Sequence, residues 1–340
     1  MRRMAISTSV DFQQDGRQTG HLRLPHSTHR SAYGHIRIPI ACLRNGDGPS
    51  LLVVAGNHGD EYEGHIAARR LVQSLDLGRL RGRIIVLPSA NHPALMAGQR
   101  TSPLDDGNLN RCFPGDPDGT PTRQIADYIE NELMPQSTHA IDLHSGGSSL
   151  DYVPSGVGNM QPGDTPRNRA VIGMLDAFGA PTSFVSATTS GAPQSFASAA
   201  IRQGVTAIGT EAGGAGRTSR AALDLVEAGL MRLLAHLGML RDTPAPADSA
   251  TRLMQVGGAD YFVFAGTRGI FEPLVEPGAT VTAGQPAARI HDPLTGWTEP
   301  ETVCFERDGF VLCRRSLGHA EPGDCLYHLG TELARPSDAP

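Results

Sequence analysis

The sequence of 340 residues contains no lysine, so all 29 of its basic side chains are arginine. That absence removes several chemistries at once, because a P-loop, a pyridoxal phosphate Schiff base and a biotinyl or lipoyl attachment each need a lysine amine. Cysteine is scarce as well. The five present, Cys42, Cys112, Cys304, Cys313 and Cys325, are odd in number and include no C-x-x-C pair. Neither a disulfide framework nor a cysteine-rich metal site is indicated, and a reducing compartment is expected. No apolar run is long enough for a signal-peptide core or a membrane span, which predicts a cytoplasmic protein with no membrane partner. Positive charge is not clustered either: the formal net charge is −6 and acids and bases are scattered, so the footprint of a nucleic-acid binder is missing.

From about Arg37 to Met239, short aliphatic runs alternate with amphipathic stretches, the pattern of an α/β fold with a largely parallel sheet. The strand candidates are RIPIACL, SLLVVAG, RIIVLPS, HAIDLH and VTAIGTE. Helices are expected at Glu61–Leu75, Thr122–Leu133, Arg167–Phe178 and Arg220–Leu240. The Pro- and Ala-rich stretch from Asp242 to Ala250 reads as a linker, dividing a large domain over 1–241 from a small all-β domain over 251–340. In that tail, GIFEPLVEPGATVTAGQPAARI and GFVLCRRSLGHAEPGDCLYHL look like two copies of one strand–turn–strand unit, similar to the barrel-sandwich fold of biotinyl and lipoyl domains. Without a lysine the tail carries neither group, and a structural or lid role is expected.

The chemistry-bearing residues sit just beyond strand candidates. His58 and Glu61 stand in H-x-x-E spacing after SLLVVAG, His144 closes HAIDLH, and Glu211 closes VTAIGTE. Spacing alone is weak evidence: roughly one such His–acid pair is expected by chance in this composition, and His139 with Asp142 is a second. Position strengthens it, because ligands in open α/β sheets gather at the carboxyl ends of strands, where residues distant in sequence converge. Two imidazoles and a carboxylate make the His2Glu set of a catalytic zinc, with a fourth position left for water. Something must then take a proton from that water and deliver it to a leaving group, and Glu211 is the candidate. Asp142 can accept the second ring N–H of a ligand histidine. In GNLNRCFPG, Asn110 and Arg111 suit a substrate carboxylate, and Arg100 suits an oxyanion. Cys112 lacks a readable histidine partner and is expected to be a small buried residue.

Together these residues resemble the aspartoacylase and succinylglutamate desuccinylase family, relatives of the zinc carboxypeptidases, over roughly Arg37 to Leu240. The resemblance implies a zinc-carboxypeptidase-like mixed sheet flanked by helices, with the β tail in the place of the family's C-terminal domain. It implies one zinc ion per chain on His58, Glu61 and His144, a substrate carboxylate on Asn110 and Arg111, carbonyl polarisation by Arg100, and Glu211 as base. The strings GNHGDEYEG, DGNLNRCFPG, DLHSGG, GTEAGG, GIFEP and ARIHDP more narrowly resemble the branch that deacetylates Nα-acetyl-L-2,4-diaminobutyrate in ectoine breakdown, with ectoine hydrolase as a pathway partner. One departure is that the spacing around Asp60 and Glu63 differs from the aspartoacylases, which weakens a dicarboxylate substrate and suggests a free amine instead. Alternatives are another N-acyl amino acid deacylase, a zinc carboxypeptidase, and a zinc-free binding protein with a degenerate site. Oligomeric state is not legible.

Overall fold

Ser50–Ala55 is apolar after its first residue because its strand is buried on both faces. Leu51, Val53 and Ala55 enter one core, while Leu52 and Val54 enter a second core on the opposite side. A computed structural model describes residues 6–187, 193–242, 247 and 250–335. Its strands before the tail are β1 (Gly16–Pro25), β2 (His35–Asn45), β3 (Ser50–Ala55), β4 (Gly82–Leu87), β5 (His139–His144), β6 (Leu150–Tyr152), β7 (Ser155–Met160), β8 (Thr182–Ala187) and β9 (Thr206–Glu211). The helices are α1 (Tyr62–Ser74), α2 (His92–Ala97), α3 (Pro121–Tyr128), α4 (Thr165–Phe178), α5 (Phe196–Arg202) and α6 (Arg220–His236). Residues of α1, α4 and α6 fill the first core; α3, α5 and the inner face of β1 fill the second.

The strand order is β1-β2-β4-β3-β5-β9-β7-β8, with β4, β3, β5 and β9 mutually parallel and β1, β2 and β7 running against their inner neighbours. This is the mixed, helix-flanked sheet expected from the sequence. The differences are local. The expected helix to Leu133 gives way after Tyr128 to a π-helical turn at Ile129–Leu133, and α6 ends at His236, two residues before Gly238 turns the chain at φ +69°. Strand β1 was not expected: its first six residues are glycine or polar, and it owes its form to register pairing with β2 from Gly16↔Arg44 to Pro25↔His35. The glycine-bearing β7 and the short helices α2 and α5 carry too little periodicity to be read.

The tail contains β10 (Arg252–Val256), β11 (Phe262–Phe264), β12 (Gly269–Pro273), β13 (Thr280–Val281), β14 (Pro286–His291), β15 (Glu301–Cys304), β16 (Gly309–Arg315), β17 (His319–Ala320) and β18 (Cys325–Glu332). The two sequence copies correspond to β12-β13-β14 and β16-β17-β18, and they interlock. The short β13 of the first copy pairs with β16 of the second, and the short β17 of the second pairs with β12 of the first. Neither copy completes its sheet alone. A separate antiparallel sheet of order β15-β14-β12-β17 results, while β10 lies parallel to β8 and antiparallel to β18, so that the central sheet runs on into the tail. Strand β6, just after β5, pairs with β16, and Ser316 donates from N and Oγ to the carbonyls of Ser149 and Ser148. The tail thereby clamps the loop that follows His144. Among the described residues, no helix is long and apolar enough to cross a membrane.

Candidate active site

Strand β3 delivers its chain into a turn that only glycine permits. Gly56 has φ +76°, and a Cβ there would lie 2.2 Å from Cε1 of the buried His65. The turn brings His58 to the end of the sheet and sets Glu61 at the N-cap of α1, with its carboxylate at the positive end of that helix. His144 and Glu211 are the last residues of β5 and β9 and face each other in register. Three adjacent parallel strands thus present their carboxyl ends to one point.

The ligand-type atoms of His58, Glu61 and His144 all lie within 4.8 Å of one another. His58 Nδ1 is 2.6 Å from Glu61 Oε1, and His144 Nδ1 is 2.7 Å from Glu61 Oε2. Both outer ring nitrogens are engaged elsewhere: His58 Nε2 donates to Asn108 Oδ1 at 3.1 Å, and His144 Nε2 donates to Asp142 Oδ2 at 2.7 Å. Those contacts turn the two Nδ1 atoms towards each other. Burial opposes charge on Glu61, yet the two imidazoles outweigh it and hold the carboxyl well below its ordinary range. His144 is held above its ordinary value despite burial, because the Asp142 and Glu61 carboxylates flank it; His58 is lowered by burial. A divalent cation fits this set on the structure's own terms: three buried donors, an anionic centre, and second nitrogens already fixed by hydrogen bonds.

Glu211 stands beside this centre, with its carboxyl pushed up to about 8 by burial and then by the charge of Glu61. Its Oε2 is buried and makes no hydrogen bond. Asn110 accepts the backbone N–H of Phe196 at 2.8 Å through Oδ1, which sets its Nδ2 3.3 Å from His144 Nε2. Arg111 is exposed, its Nη1 donating to the Asn110 carbonyl at 2.7 Å. Asn110, Arg111, Asp142, His144 and Glu211 line one cavity of about 220 Å3. Arg100 approaches from the outer side, with Nη1 3.3 Å from Glu61 Oε1 and its side chain 44 % exposed. All seven site residues expected from the sequence therefore gather at one place. Asp60 and Glu63, in contrast, are buried in framework contacts: Asp60 Oδ2 accepts Ser148 N at 2.8 Å, and Glu63 Oε1 accepts Ser219 N at 2.9 Å. Cys112 is half-buried, and burial raises its thiol above the ordinary range, which disfavours the thiolate a nucleophile needs.

Sequence reasoning missed Asn57 and Asn108. Asn57 Nδ2 donates to Asp142 Oδ2 at 2.6 Å, completing the chain Asn57–Asp142–His144. Both asparagines lie inside the strings GNHG and GNLN, so the signal that could have found them was proximity to residues already suspected. Asn159 and Ser186, which also line the cavity, had no signal of that kind.

A buried His2Glu donor set and a neighbouring carboxyl with raised pKa, at the strand ends of a mixed α/β sheet, define a metallohydrolase architecture. The profile of the succinylglutamate desuccinylase/aspartoacylase catalytic domain matches residues 47–237. The chain is 39% identical over 321 residues to the N-alpha-acetyl-L-2,4-diaminobutyric acid deacetylase of Halomonas elongata, covering 94% of this chain and 93% of that one. Among solved structures, the product-bound ectoine utilization protein EutE (DoeB) of Ruegeria pomeroyi superposes with TM-score 0.92 at 36% identity, over 97% of this chain and 100% of that one. A succinylglutamate desuccinylase/aspartoacylase from Rhodobacter sphaeroides gives TM-score 0.91 at 34% identity, again over 97% and 100%. The chain belongs to the succinylglutamate desuccinylase/aspartoacylase family, and it is an amide hydrolase.

Proposed function

We propose that this enzyme hydrolyses Nα-acetyl-L-2,4-diaminobutyrate to acetate and L-2,4-diaminobutyrate, with one zinc ion held by His58 Nδ1, Glu61 and His144 Nδ1. The observation that carries the reading is the convergence of those three donors on one point with Glu211 beside them. Bound there, zinc supplies a water acidic enough to ionise near neutral pH and a positive centre that polarises the amide carbonyl. Glu211, its Oε2 without a partner, takes the proton as the water oxygen bonds to the carbonyl carbon. When the C–N bond breaks, Glu211 returns that proton to the departing amine. Arg100, beside Glu61, stabilises the negative charge that collects on the carbonyl oxygen. Asn110 and Arg111 hold the α-carboxylate of the amino-acid half, for which a planar guanidinium is suited. On this reading the step belongs to ectoine utilisation in the cytoplasm, after ectoine hydrolase has opened the ring.

The test separates metal from proton transfer. Glu211→Gln is expected to retain stoichiometric zinc and lose about 10²- to 10⁴-fold in turnover of the acetylated substrate. His58→Ala is expected to lose the metal itself. Full activity in either variant overturns the proposal.

A further inference from the structure

The cavity next to Glu211 is a trough in the sheet, and its origin lies in β9. Along TAIGTE the side chains alternate: Ile208 and Thr210 point into the packed side, while Ala207, Gly209 and Glu211 face the cavity and are partly exposed. Two of those three outward positions are the smallest residues available, so the sheet is hollow beneath Glu211. A Cβ at Gly209 would already come within 3.2 Å of the Asp142 carbonyl oxygen. Val157 and Asn159 on β7 and Ser186 on β8 form the far wall, where Ser186 Oγ donates to Asn159 Oδ1 at 3.1 Å.

Two acidic side chains lie along this trough. Asp142 and Glu211 line it, and Asp142 Oδ1 and Glu211 Oε2 are both buried oxygens without a hydrogen-bond partner. Among the described residues, the basic side chains on the lining are His144 and Arg111, the latter placed by Asn110 at the carboxylate-holding end. Because Asn110 and Arg111 share the cavity with the trough, the amino-acid half of the substrate occupies it, and the group branching from its Cα is directed along β9.

Resting on the deacylase reading above, we propose that this trough receives the substrate's amino-acid side chain, and that Asp142 and the Asn159–Ser186 pair select a short chain ending in an ammonium group over one ending in a carboxylate. The wall offers an ammonium the unpartnered Oδ1 of Asp142, together with hydroxyl and amide oxygens that accept hydrogen bonds. A carboxylate at the end of the chain would meet those same oxygens, with Arg111 already engaged at the α-carboxylate end. Exchanging attraction for repulsion of one unit charge at about 4 Å is worth about thirtyfold in binding at the dielectric of water, and more in a protein-like dielectric. Asn159 and Ser186 are specificity-determining residues here; they touch the side chain and not the reacting amide.

The experiment measures kcat/KM of the zinc-loaded enzyme for the Nα-acetyl derivatives of 2,4-diaminobutyrate, norvaline, glutamate and glycine. The expected order is diaminobutyrate first, norvaline lower by about tenfold or more, and glutamate lower by about a hundredfold or more. Ser186→Arg is expected to reverse the diaminobutyrate-to-glutamate ratio. Ala207→Leu is expected to depress diaminobutyrate by about tenfold more than glycine, because it fills the trough and leaves the carboxylate end alone. These ratios are internal to each variant, so partial misfolding does not move them. If glutamate equals diaminobutyrate in the native enzyme, or if Ser186→Arg leaves the ratio unchanged, the trough assignment is wrong while the deacylase stands. Hydrolysis of none of the four overturns the underlying reading.

Discussion

Replacing Asp142 by alanine tests whether the metal site is built by its outer hydrogen bonds. Asp142 Oδ2 accepts from His144 Nε2 at 2.7 Å and from Asn57 Nδ2 at 2.6 Å, so one oxygen fixes the ring of His144, a proposed metal ligand, and is itself fixed. Loss of such a partner typically costs 10- to 100-fold in metal affinity, about 1.4 to 2.7 kcal/mol. A second effect runs the other way. In the metal-free protein, burial disfavours the charged form of His144 but the Asp142 and Glu61 carboxylates overcome it and raise the pKa, so a cation must displace a proton. Without Asp142 that proton is held less tightly, which eases metal entry at low pH. The deficit of Asp142→Ala is therefore expected to be largest near pH 9 and to shrink towards pH 6. Competition against a chromophoric zinc chelator across that range reads both parts, and Asp142→Asn, which keeps an acceptor oxygen, is expected to lose less than alanine does. An affinity equal to the native protein's at every pH would refute the reasoning, since His144 would then be oriented by something other than this carboxylate.

Gly56→Ala is expected to destabilise the fold by about 2 kcal/mol or more in urea unfolding, because it combines a left-handed φ of +76° with a Cβ only 2.2 Å from His65; native stability in that variant would show that the turn relaxes freely. Arg202 grips the buried Glu130 through two hydrogen bonds of 2.8 Å, and Arg202→Ala is expected to cost about 2 kcal/mol, reduced from the fully buried case because the arginine is 37 % exposed. A melting temperature unchanged by that substitution would contradict it. For the metal-free protein, Glu211 is pushed from 4.5 to about 8 by burial and by Glu61, so the folded state keeps a proton that the unfolded chain releases. Its contribution is present below 4.5 and lost as pH rises towards 8, and the raised His144 acts in the same direction above the ordinary histidine value of 6.5. Glu61, lowered by its histidines, changes nothing in that window, because both of its states are ionised there. The apoprotein's melting temperature is thus expected to fall between about pH 7 and pH 8.5, above the range in which the histidines lowered by burial, His58 and His328 among them, act in the opposite sense, with a flatter slope in Glu211→Gln; a rise in that window would be incompatible with the assignment.

The residues that converge at the strand ends, His58, Glu61, His144 and Glu211, and the strands that carry them were legible in the chain because each depends on local order. A strand buried on both faces, as Ser50–Ala55 is, must be a continuous apolar run, and a polar residue placed directly after such a run stands out. What tertiary structure alone decided is of another kind. The hydrogen bond from Asn57 to Asp142 spans 85 positions and exists because β3 and β5 pair in one register. The tail's hold on the loop after His144 depends on β6 meeting β16, two segments with no sequence mark of their partnership. The trough under Glu211 comes from Ala207 and Gly209, and a small side chain looks the same in a sequence whether its neighbours fill the space above it or leave it open. Periodicity records which face a residue turns to, but the shape of the space beyond that face is set by elements far away in the chain.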